Sequence, residues 1–262
     1  MTPLLPTRRA RWTCLMYHRV PAAAEDADYF AVPRARFAEQ LDVLRAAGMR
    51  VVSLERAVSQ PRDRTVAITF DDGDESQFQN AFPELVARGM TATFFVITAR
   101  VGMPGYVTWK ELGAMARAGM SIQSHTHTHP FLSELSRDDA ARELAEARRL
   151  LDAHLGQRTT ILALPNGDAP RGWTGRDYAA LGYTRVATSR WGANHGGDAR
   201  LIRRYTVRRD TSARAFGALI TGESSAYSAE ALRLLALNRV RAAVGPSRYA
   251  RARRLVLATL GR

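Results

Sequence analysis

Two short stretches of the chain hold residue types that do chemistry. Val66-Ala67-Ile68-Thr69-Phe70-Asp71-Asp72-Gly73 reads as a buried strand ending in two adjacent carboxylates and a glycine. In an α/β protein, that is where chemistry rather than packing is placed. Side chains alternate along an extended chain, so the two carboxylates point in different directions. One can bind a metal ion while the other stays free as a base. A lone Asp ahead of a helix is ordinarily an N-cap, but a pair preceded by Thr-Phe is more than a cap requires. Further along, Ser124-His125-Thr126-His127-Thr128-His129-Pro130 gathers three of the chain's six histidines. If this segment stays extended, all three rings share one face. If it curls, His125 and His129 converge at i and i+4 while His127 points away. Pro130 and the Ser/Thr-rich context favour the turn. One carboxylate and two imidazoles with open positions for water suit a hydrolytic Zn²⁺ or a related divalent ion.

These groups need strands to carry them and turns to release them. Trp12-Thr13-Cys14-Leu15-Met16-Tyr17-His18 reads as a first strand, and a histidine at its end points toward the mouth of a barrel. Phe37 to Ala47 is an amphipathic helix (Phe37, Leu41, Leu44) closed by Gly48, and Arg50 to Leu54 is a second strand. Gly73 permits a sharp turn, and Glu75 to Arg88 has helical spacing (Phe78, Phe82, Leu85, Val86). Thr91 to Thr98 is a β-branched and aromatic strand, and Trp109 to Ala118 is a helix ended by Gly119 that feeds the histidine strand. Ser136 to Leu155 is a charged helix with a solvated face, with His154 set against the dipole at its end. Thr160 to Asp168 is a strand and turn, Gly182 to Ser189 another strand, and Leu201 to Val207 a final strand before a helix from Thr211. Such alternation implies parallel βα units with the site residues at the C-terminal strand ends. No internal repeat or low-complexity segment interrupts it.

At 262 residues, 46% hydrophobic and 8% aromatic, the chain is sized for one large α/β domain plus a tail. The single cysteine, Cys14, excludes a disulfide framework within the chain and sits among apolar residues as a core group.

The ordered pair Thr69-Phe70-Asp71-Asp72-Gly73 and His125-Thr126-x-x-His129-Pro130 resembles the first two motifs of the polysaccharide deacetylase family, the NodB-homology or carbohydrate esterase family 4 enzymes. The resemblance runs from about Trp12 to Phe216. It implies an α/β fold, a distorted (β/α)7-type barrel, over residues 12–222, followed by a basic amphipathic helical tail over 223–262. It also implies Asp71 as general base, with Asp72, His125 and His129 as ligands of a divalent metal, Zn²⁺ with Co²⁺ or Ni²⁺ as alternatives. His127 falls on a variable family position and reads as a solvated or supporting group.

Two departures from the family pattern matter. The third motif, usually Arg-x-Pro-Tyr, here reads Ala163-Leu164-Pro165-Asn166. The missing arginine would have paired with the base, which leaves the tuning of Asp71 open. Leu219-Ile220-Thr221 lacks the histidine of the last motif. The Tyr17-His18-x-Val20 opening and the Ala-x-Pro-x-Gly turn are similar to the poly-N-acetylglucosamine deacetylase branch, where the early histidine serves as general acid; this implies His18 in that role. A backbone N–H near Asn166, in the Pro165 turn, could still hold an oxyanion, since such a donor does not depend on the side chain. The glycine-rich loop Arg190 to Asp198 carries Trp191, which would either stack on a sugar or pack on its own loop.

The resemblance thus implies a metal-dependent N-deacetylase acting on N-acetylglucosamine residues of a polysaccharide or lipid-linked glycan. Two rivals are a metal-dependent hydrolase of a non-sugar amide that uses His127 as a ligand, and a catalytically silent glycan- or membrane-binding barrel. The net charge of +13 is almost entirely arginine, Lys110 being the only lysine, and no nucleic-acid motif accompanies it. Nucleic acid is therefore not the expected partner; an N-acetylated glycan is, with peripheral membrane contact through the basic tail. With no signal-peptide core or membrane span in the sequence, the expected location is cytoplasmic or peripheral on the membrane.

Overall fold

The computed structural model describes residues 10–23, 28–197 and 200–221, with Gly245 and Arg248. In chain order its elements are β1 (Arg11–Tyr17), α1 (Arg34–Ala46), β2 (Arg50–Val52), α2 (Leu54–Ser59), β3 (Thr65–Phe70), α3 (Phe82–Ala87), β4 (Thr93–Val96), α4 (Trp109–Arg117) and β5 (Ser121–Ser124). They continue with α5 (Arg137–Leu155), β6 (Ile161–Ala163), α6 (Gly175–Ala180), β7 (Arg185–Ala187), β8 (Asn194–His195), β9 (Leu201–Ile202), β10 (Tyr205–Thr206) and α7 (Ala213–Thr221). The strand order is β10-β1-β3-β4-β5-β6-β7-β9, with β2 added beside β3 and β8 beside β1. Every pairing is parallel except β1 with β8.

The two ends of that order, β9 and β10, are separated in sequence only by Arg203 and Arg204. The sheet is therefore a nearly closed barrel whose seam is crossed by the chain itself. This corrects the single final strand expected over Leu201 to Val207. The segment must leave β7, the partner of β9, and reach β1, the partner of β10, so its ladder breaks at Arg203-Arg204. The basic helical tail expected over 223–262 lies outside the described residues, Gly245 and Arg248 apart.

Strand parity divides the core. On β3, Val66, Ile68 and Phe70 join the outer cluster with Phe37, Leu41 and Leu44 of α1, Leu112 and Met115 of α4, and Phe216 of α7. Ala67 faces the other way, into an inner cluster with Trp12, Cys14, Phe95, Ile161, Ala163, Ala187 and Ile202. Leu54, Ala57 and Val58 of α2 belong to that inner cluster too, so this short helix plugs the barrel. Burial pushes the Cys14 thiol up to about 12, which leaves it an inert core group.

Phe70 anchors the outer layer. It stacks on Phe94 with ring centroids 4.7 Å apart and planes 6° apart, and meets Phe37 edge-on at 5.7 Å. Burying one such ring contributes about 1.5–3 kcal/mol. The helices are specified locally as well. α4 begins with a capping box between Thr108 and Glu111, and α5 begins at a Ser136 cap and ends at Gly156, in the left-handed region at φ 62°.

Candidate active site and metal centre

Asp71 directly follows β3, and its N–H donates to the Tyr17 carbonyl at 3.0 Å, continuing the ladder one step past the strand. Its parity is that of Ala67 and Thr69, so its carboxylate enters the mouth of the barrel, where it is buried. There it meets Arg204, which is fully buried: Nη1 donates to Oδ1 at 2.6 Å and Nη2 to Oδ2 at 2.8 Å. The guanidinium is fixed on its other side by Nε donating to the Thr188 carbonyl at 3.0 Å, and its plane lies over the Phe95 ring at 5.4 Å. Burial raises the Asp71 carboxyl, but Arg204, His125 and His18 outweigh it and hold the group below its ordinary value. A fork from the barrel seam thus supplies the cation that the third motif lacks at Ala163. The sequence reading missed it because no motif marks Arg204 among its arginine neighbours.

Asp72 leaves the strand in the left-handed region at φ 78°, a conformation Asp tolerates better than most residues. This turn sends its carboxylate away from Asp71's position and toward the histidines. Oδ1 lies 3.4 Å from His125 Nε2 and 3.6 Å from His129 Nε2. The histidine segment curls: Thr126 at φ 67° and His129 at φ 66° are both left-handed, and the His129 N–H donates to Thr126 Oγ1 at 3.0 Å. The rings of His125 and His129 meet edge-on with centroids 4.9 Å apart. One donor atom from each of Asp72, His125 and His129 lies within 4.8 Å of the others. His127 is outside that group, its Nδ1 hydrogen-bonded with Thr98 Oγ1 at 2.9 Å.

The ligand chemistry fits a divalent cation. His125 Nδ1 is paired with the Ala163 carbonyl at 2.9 Å, which orients the ring and leaves Nε2 directed at Asp72. Burial lowers His125, but Asp71, Asp72 and the Ala163 carbonyl raise it above an ordinary histidine. His129 goes the other way: burial and the neighbouring His125 bring it down to about 4, so it is neutral at physiological pH. Asp72 is held well below the usual carboxylate range: burial opposes this, but a hydrogen bond from His125 and the charges of His18, His125 and His129 prevail.

His18 follows the end of β1. Its ring lies against Phe30 with centroids 4.7 Å apart, and its Nδ1 is buried without a hydrogen-bond partner among the described residues. Gln77 Nε2 donates to both the His18 and the Asp71 carbonyls, which sets the two residues side by side at the same mouth. Pro165 and Asn166 lie in the turn after β6, two and three residues beyond the Ala163 carbonyl that holds His125, with Asn166 left-handed at φ 55°. Trp191 is half-buried and packs edge-on against Tyr205 of β10 at 5.3 Å, so the loop rests on its tryptophan.

No helix among the described residues is long and apolar enough to cross a membrane. Residues 59–186 match the family model for polysaccharide deacetylase. The chain is 32% identical to YxkH of Bacillus subtilis over 164 residues, covering 60% of this chain and 57% of that protein. It is 27% identical over 168 residues to a poly-β-1,6-N-acetyl-D-glucosamine N-deacetylase of Staphylococcus aureus, covering 55% of this chain and 57% of the relative. It thus spans somewhat more than half the length of these relatives. The structure of the Streptococcus pyogenes deacetylase PplD, in complex with acetate, superposes with a TM-score of 0.74 at 27% identity, over 81% of this chain and 99% of that one. The Asp-Asp strand and the histidine turn both lie within residues 59–186, the stretch that matches the polysaccharide deacetylase family model.

Proposed function

We propose that this chain is a metal-dependent N-deacetylase that removes acetyl groups from N-acetylglucosamine residues of a polysaccharide or a lipid-linked glycan. One juxtaposition carries the reading: a buried carboxylate kept ionised by Arg204, beside an Asp72-His125-His129 donor set. The likeness to a poly-β-1,6-N-acetyl-D-glucosamine N-deacetylase supports the sugar class. A divalent ion held by Asp72, His125 and His129, Zn²⁺ in this reading, would supply Lewis acidity and bring the pKa of water from about 15.7 toward about 7.

The chain's own groups do the proton work. Both Asp71 oxygens accept from Arg204, but a carboxylate has about four lone-pair sites. Asp71 therefore still has room to take the proton of the attacking water as it adds to the acetamide carbon. In this reading the backbone N–H of Asn166, in the turn after Pro165, would donate to the developing oxyanion. His18 delivers a proton to the departing amine nitrogen, giving acetate and a free glucosamine amine. Trp191 borders the sugar subsite from its loop.

The test is acetate release from acetylated glucosamine oligomers by metal-stripped protein, before and after Zn²⁺ or Co²⁺ is restored. Release only with metal is the expected result. Absence of release with any metal, while metal still binds, would overturn the reading in favour of another amide or a silent barrel.

A further inference from the structure

Between β3 and α3 the chain forms a π-helical turn, Gln77–Ala81, rather than the plain helix its spacing predicts. Such turns are rare and gather at functional sites. Three buried polar side chains, Ser76 just before it and Gln77 and Asn80 within it, bond to backbone groups, and Ser76 Oγ also donates to Asp74 Oδ1. Gln77 Nε2 donates to the His18 carbonyl at 2.8 Å and to the Asp71 carbonyl at 2.6 Å. The Val20 N–H donates to Ser76 Oγ at 2.9 Å, and Asn80 Nδ2 donates to the Val20 carbonyl at 2.8 Å.

One amide group thus ties together the ends of two neighbouring strands. The strands are already paired up to Tyr17 and Phe70. Beyond that register the sheet offers His18 nothing, and no hydrogen bond among the described residues holds its Nδ1. A buried backbone carbonyl left without a donor is unfavourable, so the carbonyls of His18 and Asp71 must stay where Gln77 meets them.

We propose that Gln77 is a positioning residue that sets the His18 imidazole against Asp71 across the mouth, with Ser76 and Asn80 bracing Val20, two residues further on. The proposal rests on the acid and base roles given above to His18 and Asp71. A residue acting in this way governs turnover through His18, not through metal affinity or substrate affinity.

The experiment is a double-mutant cycle in acetate release from glucosamine oligomers, with Gln77→Met, His18→Ala and the double variant, together with amide hydrogen exchange. Gln77→Met keeps the shape and removes both donors. Its kcat should fall roughly 10- to 100-fold with KM and Zn²⁺ affinity within about twofold of the parent. In the His18→Ala background the same substitution should change kcat by less than about twofold. Equal losses in both backgrounds, or a parental kcat, would overturn the proposal. Should Gln77→Met fail to fold, Asn80→Ser, which releases only the Val20 carbonyl, should give a smaller loss of the same kind; an unchanged kcat there would overturn it. Exchange at the Asp71 and Val20 amides should quicken at least tenfold in Gln77→Met, and unchanged exchange would overturn the clamp whatever the substrate proves to be. A His18→Ala variant with parental kcat would instead remove the acid role on which the proposal stands.

Discussion

Arg204 grips Asp71 across 133 residues of sequence, with a separate N–H on each carboxylate oxygen at 2.6 and 2.8 Å and both side chains buried. A guanidinium fork matches a carboxylate in this way as a lysine cannot. The family position for such a cation is the start of the third motif, where this chain has Ala163 in the inner cluster. The cation comes instead from the link between β9 and β10, where the chain crosses the barrel seam.

Arg204→Met should therefore do two things. It leaves Asp71 buried without its partner, which should cost about 3–5 kcal/mol of stability in urea unfolding. It should also move the acid limb of kcat/KM upward in pH, because burial then acts on Asp71 with less to oppose it. The lowered native pKa gives stability that is present above the unfolded value, about 3.9, and is lost as pH falls through the native one. That contribution should be missing from the variant's stability curve. An unmoved acid limb would show that Asp71 is tuned by something else.

Asp71→Asn keeps the size of the side chain and removes the base. Metal content measured by atomic absorption should match the parent, while kcat falls by roughly 10²- to 10⁴-fold. Full activity would remove Asp71 from the role of base.

Metal binding should depend on pH through His125. Its native pKa is raised, so in the metal-free protein its proton stabilises the fold at acid pH, and that contribution fades as pH rises through the native value. Zn²⁺ must displace this proton, so the apparent affinity should tighten by about tenfold per pH unit below the His125 pKa. His129, at about 4, has no proton left to lose near neutrality. Calorimetry in buffers of different ionisation heat should therefore show proton release from His125 but none from His129, no more than one proton in all, and His125→Ala should bind no metal. Two protons released, or full metal content in the variant, would contradict the assignment.

His127→Ala should keep both metal and turnover within about threefold of the parent, since its ring bonds with Thr98 and lies outside the donor set. Loss of metal in this variant would revive the extended His-x-His-x-His reading.

Alternation along a strand is a local rule, and it sufficed for much of the site. Ala67, Thr69 and Asp71 share a parity, and so do Gln123 and His125, so a buried parallel strand necessarily delivers one carboxylate and one imidazole to the barrel interior. Glycines after helices and Ser or Thr before them fixed where α4 and α5 begin and end. The pairing of the Asp-Asp and histidine motifs pointed to the same family whose model residues 59–186 match. What the sequence left open at the histidines was decided by three left-handed residues, Asp72, Thr126 and His129, which turn one carboxylate and one ring inward and leave His127 to Thr98. Asp and His tolerate that region better than most residues and Thr does not, so propensity alone does not select these three, and each conformation is held by the contacts of the finished site.

Composition and periodicity thus determined the strands, the helices and the residue types at the mouth. The tertiary fold decided who partners whom: Arg204 with Asp71, Gln77 with the His18 and Asp71 carbonyls, Ala163 with His125. The partner of a buried charge or an unpaired carbonyl is whichever group closure of the barrel brings within about 3 Å, and that distance is set by how the strand ends meet, not by any neighbour in sequence.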